Sequence, residues 1–142
     1  MTHLPSTYAP LDSAFHVNAD GSTQIFGTGS YVPVDWTTEV YDAGGEFASN
    51  VFIPNVSGKY MFRASMLFNS SESGVMAIMV NGIPAAQRKS TNDLYIISTI
   101  LELNAGDSVY LAFSRMSGND GSIAGFAFAT NFKGYLVYEG TG

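Results

Sequence analysis

Residues 58–69 read GKYMFRASMLFN, and this stretch decides the fold. Side chains at alternate positions of an extended chain point to opposite faces. Arg63 and Ser65 share one face here, and the other face carries five apolar side chains: Tyr60, Phe62, Ala64, Met66 and Phe68. A period of two with one richly apolar face predicts a β-strand that is buried on that side.

The two stretches that follow also favour strands. Residues 75–80 are apolar at every position, so both faces of this strand should be buried, and Asn81-Gly82 is typical of a tight hairpin turn. Residues 94–103 alternate as well. A helix is the alternative here, since neither Gly nor Pro interrupts residues 85–105, but the β-branched side chains within 96–100 favour a strand.

Shorter alternating stretches complete an all-β pattern. The chain contains 15 Gly and five Pro, which separate these stretches. The remaining candidate strands are 14–17, 24–26, 39–41, 51–53, 109–113 and 132–138. About ten short strands without a convincing helix predict a sandwich or a barrel.

The low charge content limits the classes of function. Of the 142 residues 13% are charged, about half of the ~25% usual for globular domains, and the formal net charge is −6. This balance argues against binding nucleic acid, which needs Lys and Arg to replace counterions, and against an anionic membrane surface. So few charges favour a homo-oligomer that buries excess apolar surface. The alternative is a monomer whose surface consists of Ser, Thr, Asn and Gly.

Length and local composition predict one domain and a short arm. We expect the domain over residues 13–140 and an extended arm over residues 1–12, which contain Pro5 and Pro10. No apolar run approaches the ~18 residues of a membrane span, so we expect no membrane insertion. Residues 1–5 lack the basic and apolar regions of a signal peptide.

No motif indicates catalysis, and we expect the protein not to be an enzyme. Zero Cys excludes disulfides, thiolate zinc sites and a Cys nucleophile. His3 and His16 form no metal-ligand motif. A Ser–His–Asp triad would need His16 as its base, and the chain has no G-x-S-x-G elbow to carry the serine. Residues 27–30, Gly-Thr-Gly-Ser, lack the lysine and the following helix of a phosphate-binding loop.

Several segments stand in an order that resembles the globular head of the C1q family, within the C1q/tumour-necrosis-factor superfamily. The resemblance covers residues 15–138. Its segments are VYDAGGEF at 40–47, FIPNVSGKYMF at 52–62, NG at 81–82, LELNAGDSVYL at 101–111 and FKGYLVY at 132–138. It implies an all-β, ten-stranded jelly-roll sandwich that assembles as a homotrimer.

The same resemblance implies a function. Heads of this family are usually non-enzymatic and recognise ligands on loops at the apex and flanks. The implied partners are two further copies of the chain and a cell-surface glycan or protein receptor. Residues 1–14 contain no collagen-like Gly-X-Y stalk. In this respect the chain resembles prokaryotic or phage versions of the head. We therefore expect an extracellular or virion surface, for example a fibre tip.

The resemblance also implies a possible Ca²⁺ site. Some related heads hold Ca²⁺ near the trimer axis through an acidic residue ahead of the strand that ends in residues 101–103, and Asp93 occupies that position here. Three carboxylates that meet at an axis repel one another unless a cation lies among them. The alternative is that Asp93 is a solvated turn residue. The loop at residues 116–122 contributes Asn119 and Asp120 as ligand-binding candidates, together with Asn92 beside Asp93.

The remaining expectations concern packing. Gly58 and Gly134 should lie where a side chain would crowd a neighbouring strand. The expected core aromatics are Tyr60, Phe62, Phe132 and Tyr138. Three further aromatics are candidates to face the trimer axis or a sugar: Tyr31, Trp36 and Tyr95.

Two other functions stay open at the level of sequence. One is a purely structural virion or surface-layer building block without a ligand. The other is an enzyme that degrades polysaccharide, because the separation of two carboxylates cannot be read from sequence.

Overall fold

The computed structural model describes residues 13–118 and 121–140. The expected arm at residues 1–12 lies outside the described residues. The described part forms eleven strands: β1 (Ala14–Asn18), β2 (Val32–Pro33), β3 (Thr38–Asp42), β4 (Phe47–Ala48), β5 (Val51–Phe52), β6 (Gly58–Leu67), β7 (Glu72–Val80), β8 (Ile83–Ser90), β9 (Leu94–Leu103), β10 (Val109–Gly118) and β11 (Asn131–Glu139). The helix alternative for residues 94–103 is therefore wrong.

The strands form two antiparallel sheets that enclose one core. Sheet A has the order β3-β1-β11-β6-β9. Sheet B has the order β4-β5-β10-β7-β8, and β2 pairs with β10 outside that path. The all-β sandwich predicted from the alternating stretches is confirmed.

The core between the sheets consists largely of aromatic rings. The inward side chains of β6 from Tyr60 to Met66 are fully buried, as their alternation predicts. Phe15 on β1 and Phe132 on β11 approach Phe62, with ring centroids 6.2 and 5.9 Å away. Burying one large apolar side chain contributes roughly 1.5–3 kcal/mol, so this cluster dominates the stability of the sandwich.

Two strand glycines leave room for their neighbours, as predicted. A Cβ on Gly134 would lie 2.6 Å from the Phe62 ring and 2.9 Å from Phe15. A Cβ on Gly58 would collide with the Tyr138 carbonyl oxygen. The absence of a side chain at these positions lets the central strands of sheet A approach one another.

The expectation that Tyr138 fills the core is wrong. Its side chain is 64% exposed. The pairing of β11 with β6 shifts register between Leu136 and Tyr138, so the alternation reverses there and Tyr138 turns outward. Its ring lies 5.7 Å from the Lys59 ammonium group.

Strand β7 is buried on both faces, as predicted. Met76 and Ile78 belong to the main core. Ala77 and Met79 form a smaller cluster with Ala112 on the outer face of sheet B. The described part of the chain contains no helix long and apolar enough to cross a membrane.

The sandwich has two distinct ends. At one end, the Leu136 amide donates to the Ser13 carbonyl oxygen and the Gly140 amide to that of Ser57. The opposite end consists of the connections at residues 68–71, 91–93 and 121–130, and we call it the distal end.

Candidate functional site

A buried carboxylate organises the distal end. Glu72, at the start of β7, is fully buried. Its Oε1 accepts a hydrogen bond from Arg115 Nε at 2.9 Å. Its Oε2 accepts from the Gly121 amide and from the Ser70 hydroxyl, both at 3.1 Å. A cation and two further hydrogen-bond donors therefore compensate for the burial of this carboxylate.

These hydrogen bonds set the protonation state of Glu72. Burial by itself would raise the pKa of this carboxyl group, because it disfavours the charged form. The bonds from Gly121, Arg115 and Ser70, together with the Arg115 charge, outweigh burial and hold the pKa below its usual value of 4.5. Glu72 is therefore an anion at neutral pH.

Glu72 also joins the two loops that carry the ligand-binding candidates. Its amide donates to the Asn92 carbonyl oxygen at 3.2 Å. Gly118 pairs with Glu72 across β10 and β7, and Gly121 binds its carboxylate. Asn119 and Asp120 lie outside the described residues.

Asp93 is exposed at this end of the molecule. Its carbonyl oxygen accepts a hydrogen bond from the Phe68 amide at 2.8 Å. In the described ranges no three His, Cys, Asp or Glu side chains converge on a possible metal site. Ca²⁺ prefers six to eight oxygen ligands. The Asp93 carboxylate can supply at most two of these oxygens.

An exposed aromatic pair extends the distal end. Phe126 and Phe128 are 53% and 81% exposed, and their rings stack with centroids 5.5 Å apart. The Ala129 amide donates to the Phe126 carbonyl oxygen, and Asn131 Nδ2 donates to that of Ala127. The loop is thus tied to the start of β11. Sequence reasoning missed this pair and Glu72, because neither belongs to a recognisable motif.

The three aromatics proposed to face an axis or a sugar differ in burial. Tyr95 is fully buried, and its hydroxyl lies 2.8 Å from the Ser90 carbonyl oxygen, so this expectation is wrong. Trp36 is partly buried and stacks on Phe132 at 6.1 Å. Tyr31 packs against the outer cluster of sheet B, and its hydroxyl accepts a hydrogen bond from Gln87.

The outer face of sheet A is a second candidate surface. Six large apolar side chains on its strands are between 38% and 57% exposed: Tyr41, Leu94, Ile96, Ile100, Tyr135 and Val137. Monomeric proteins rarely expose apolar patches beyond a few hundred Å² unless the patch binds something. This face therefore has the composition of an interface.

His16 lies on this same outer face. Its ring contacts Tyr41 edge-on, with centroids 5.8 Å apart. Burial and the Lys133 charge lower its pKa below the usual 6.5, so it is mainly neutral at pH 7. His3 lies outside the described residues.

The chain resembles known proteins in sequence and in fold. The family model of the C1q domain matches residues 14–137. No curated protein sequence gives a significant match to the chain.

Solved structures share the fold at low sequence identity. The globular domain of zebrafish complement 1qA protein is 19% identical, with a TM-score of 0.63 over 90% of this chain and 99% of that one. Pika GITRL is 13% identical, with a TM-score of 0.55 over 87% and 93% of the two chains. Rabbit GITRL is 12% identical, with a TM-score of 0.56 over the same shares. At these identities the likeness concerns the fold alone.

Proposed function

The chain belongs to the C1q domain family, and from this we propose that it is a non-enzymatic, homotrimeric recognition head on an extracellular or virion surface. Domains of the C1q/tumour-necrosis-factor type are trimeric, generally non-enzymatic recognition modules, and homologues are secreted or extracellular. The observation that carries the proposal is the exposed apolar outer face of sheet A.

In a homotrimer this face would be covered by a neighbouring subunit. Side chains such as Ile100, at 57% exposed, and Tyr135, at 53%, lose water contact only if another surface covers them. Removing apolar area from water is favourable by about 25 cal/mol per Å². Because a closed ring of head-to-tail contacts covers the same face on every copy, three identical subunits satisfy one another.

The distal end supplies the recognition surface. It lies opposite the end of the sandwich that carries Ser13 and Gly140. Glu72 holds the loops on both sides of it. A trimer presents three copies of each loop, so weak single contacts add up to avid binding. A glycan or a protein on a cell surface is the proposed partner.

Binding assays on the trimer test this proposal. Wild-type protein should bind particular glycans on an array or a particular cell envelope. Loss of binding is expected for Asn92→Ala, Phe128→Ala and the pair Asn119→Ala with Asp120→Ala. Asn104→Ala, an exposed asparagine at the opposite end, should bind like the wild type.

The other outcomes separate the competing functions. Silence across all glycans and envelopes would favour a structural building block without a ligand. New reducing ends after incubation with envelope polysaccharide would show an enzyme and overturn the proposal.

We also propose Ca²⁺ at Asp93 as part of the assembled head. In a trimer three Asp93 carboxylates would together supply oxygen ligands for the ion. EDTA should then lower the melting temperature of the wild type, and this effect should be absent from Asp93→Ala. Asp20→Ala, which removes another exposed carboxylate, should keep it. An unchanged melting curve of the wild type in EDTA would exclude the site.

A further inference from the structure

A row of basic side chains crosses the outer face of sheet A. His16 on β1 pairs with Lys133 on β11, and Lys133 pairs with Arg63 on β6. Tyr41 on β3 and Ser98 on β9 end the row at the two edges. Side chains directly opposite one another on adjacent strands lie about 4.5–5.5 Å apart at their Cβ atoms, so these basic groups are close neighbours.

This arrangement is unfavourable in an isolated subunit. Like charges placed directly opposite in a sheet destabilise it. The chain has only six Lys and Arg against twelve Asp and Glu, and it aligns two of those six in one row. Burial and the Lys133 charge both lower the pKa of His16, because a protonated imidazole here would lie beside a second cation.

No carboxylate of the same chain compensates the row within the described residues. Arg63 donates one hydrogen bond, from Nη1 to the Ser98 hydroxyl at 3.3 Å, and Lys133 has no ion pair there. The neighbouring outward positions carry Ala14, Tyr135, Met61 and Ile100 on one side and Asn18, Asn131, Ser65 and Ile96 on the other. Glu39, on the edge strand β3, pairs with the inward-facing Val17 and lines a separate cavity with it.

The same face contains an internal contrast. Lys59 on β6 lies directly opposite Glu102 on β9, so a cation and an anion are paired in register there. Lys59 also lies over the Tyr138 ring. Lys59 therefore has a residue of opposite charge at its cross-strand position, whereas Lys133 and Arg63 lie opposite one another.

The shape around the row suits a protein surface. A depression of about 270 Å³ is lined by Tyr41, Met61, Arg63, Lys133, Gly134 and Tyr135. Exposed apolar side chains surround it, so a partner that covers them also takes the cations out of water. Buried cations without a counter-charge are strongly disfavoured. Whatever covers this face must therefore bring carboxylates.

We propose that carboxylates of a neighbouring copy of this chain bind the row formed by His16, Lys133 and Arg63 at the subunit interface. The inference rests on the proposed trimer and adds its electrostatic determinant. A second copy fits because the chain is acidic overall, with a net charge of −6, and so offers surplus carboxylates on its surface. These ion pairs fix the angle and register of one subunit on the next.

Sedimentation of charge variants over a range of protein concentrations tests this proposal. Lys133→Gln and Arg63→Gln should each raise the concentration at which half of the trimer dissociates by at least tenfold. Raising NaCl from 50 to 500 mM should weaken the wild-type trimer and have less effect on the variants, because salt screens the ion pairs. Lys59→Gln is the matched control on the same face and should change the midpoint by less than threefold.

Each other outcome is decisive. A trimer that dissociates at a lower concentration in Lys133→Gln or Arg63→Gln than in the wild type would show simple repulsion without a carboxylate partner. This result would overturn the inference but not the proposed trimer. Stabilisation of the wild type by inorganic phosphate or sulfate at constant ionic strength, lost in both variants, would identify a free anion instead of a second copy. A monomeric wild type would overturn both the inference and the proposed function.

Discussion

At the scale of the residue, Glu72 shows how one side chain can hold a functional surface together. It receives hydrogen bonds from residues 43 and 49 positions away in the sequence. Its surroundings favour the charged form, because three hydrogen-bond donors, one of them the Arg115 guanidinium group, outweigh the effect of burial. The contributions of two single residues to the stability of the fold can be measured directly.

Glu72→Gln should lower the free energy of unfolding at pH 7 by about 3–5 kcal/mol, because removing one partner of a buried ion pair is strongly destabilising. The pKa of Glu72 is lower in the folded state than its usual 4.5. Its carboxylate therefore stabilises the fold above pH 4.5, and this contribution is lost as the pH falls through the folded pKa. Urea unfolding at several pH values should show the difference from the wild type shrinking below pH 4.5.

A matched control distinguishes this role from a general effect of charge. Glu102→Gln removes an exposed carboxylate and should stay within about 0.5 kcal/mol of the wild type. Equal stability of Glu72→Gln and the wild type at every pH would contradict the assignment.

Gly134→Ala should destabilise the protein by about 1–3 kcal/mol, because the added methyl group meets the Phe62 and Phe15 rings in a packed core. Gly27→Ala is the control, since a methyl group added there would meet no atom within 4 Å beyond its chain neighbours. Thermal unfolding of the two variants measures the difference. Identical melting temperatures would show that the central strands of sheet A can separate at little cost.

At the scale of the element, alternation predicted the long strands well and the ends of strands poorly. Residues 58–67 and 94–103 form strands as expected, because one apolar face in each can be buried in only one register. Residues 24–26 form only an isolated bridge, between Ile25 and Ser122. The register shift before Tyr138 depends on pairing with β6, so the sequence of β11 alone could not reveal it.

The hairpin between β7 and β8 is the turn that the sequence predicted most directly. Val80 pairs with Ile83, which leaves Asn81 and Gly82 as a two-residue loop with φ of 53° and 83°. The Asn81 side chain also accepts a hydrogen bond from the Ser108 amide at 2.9 Å and donates to Asp107 at 3.0 Å. One asparagine thus shapes the hairpin and ties it to the turn before β10.

Asn81→Ala should therefore cost about 1–2 kcal/mol, since alanine strains the left-handed backbone and forms neither bond. Chemical denaturation gives the value. Asn104→Ala, at an exposed asparagine without positive φ, should differ little from the wild type. Similar losses of stability in the two variants would show that the removal of any turn asparagine has this effect.

At the scale of the whole molecule, composition and structure give complementary information. The low charge content predicts that some surface must be covered, but it cannot say which one, because composition carries no information about position. The structure identifies the outer face of sheet A, where β1 and β11 bring residues from opposite ends of the chain together. The candidate ligand loops show the same limit. Asn92 was proposed because it lies beside Asp93, whereas Phe126 and Phe128 belong to no recognisable motif.

The mass of the protein in solution tests the central claim most directly. Sedimentation equilibrium at micromolar concentration should give three times the subunit mass of 15.2 kDa, because two neighbouring copies cover the apolar face of each subunit. A single species of 15.2 kDa under the same conditions would contradict the account.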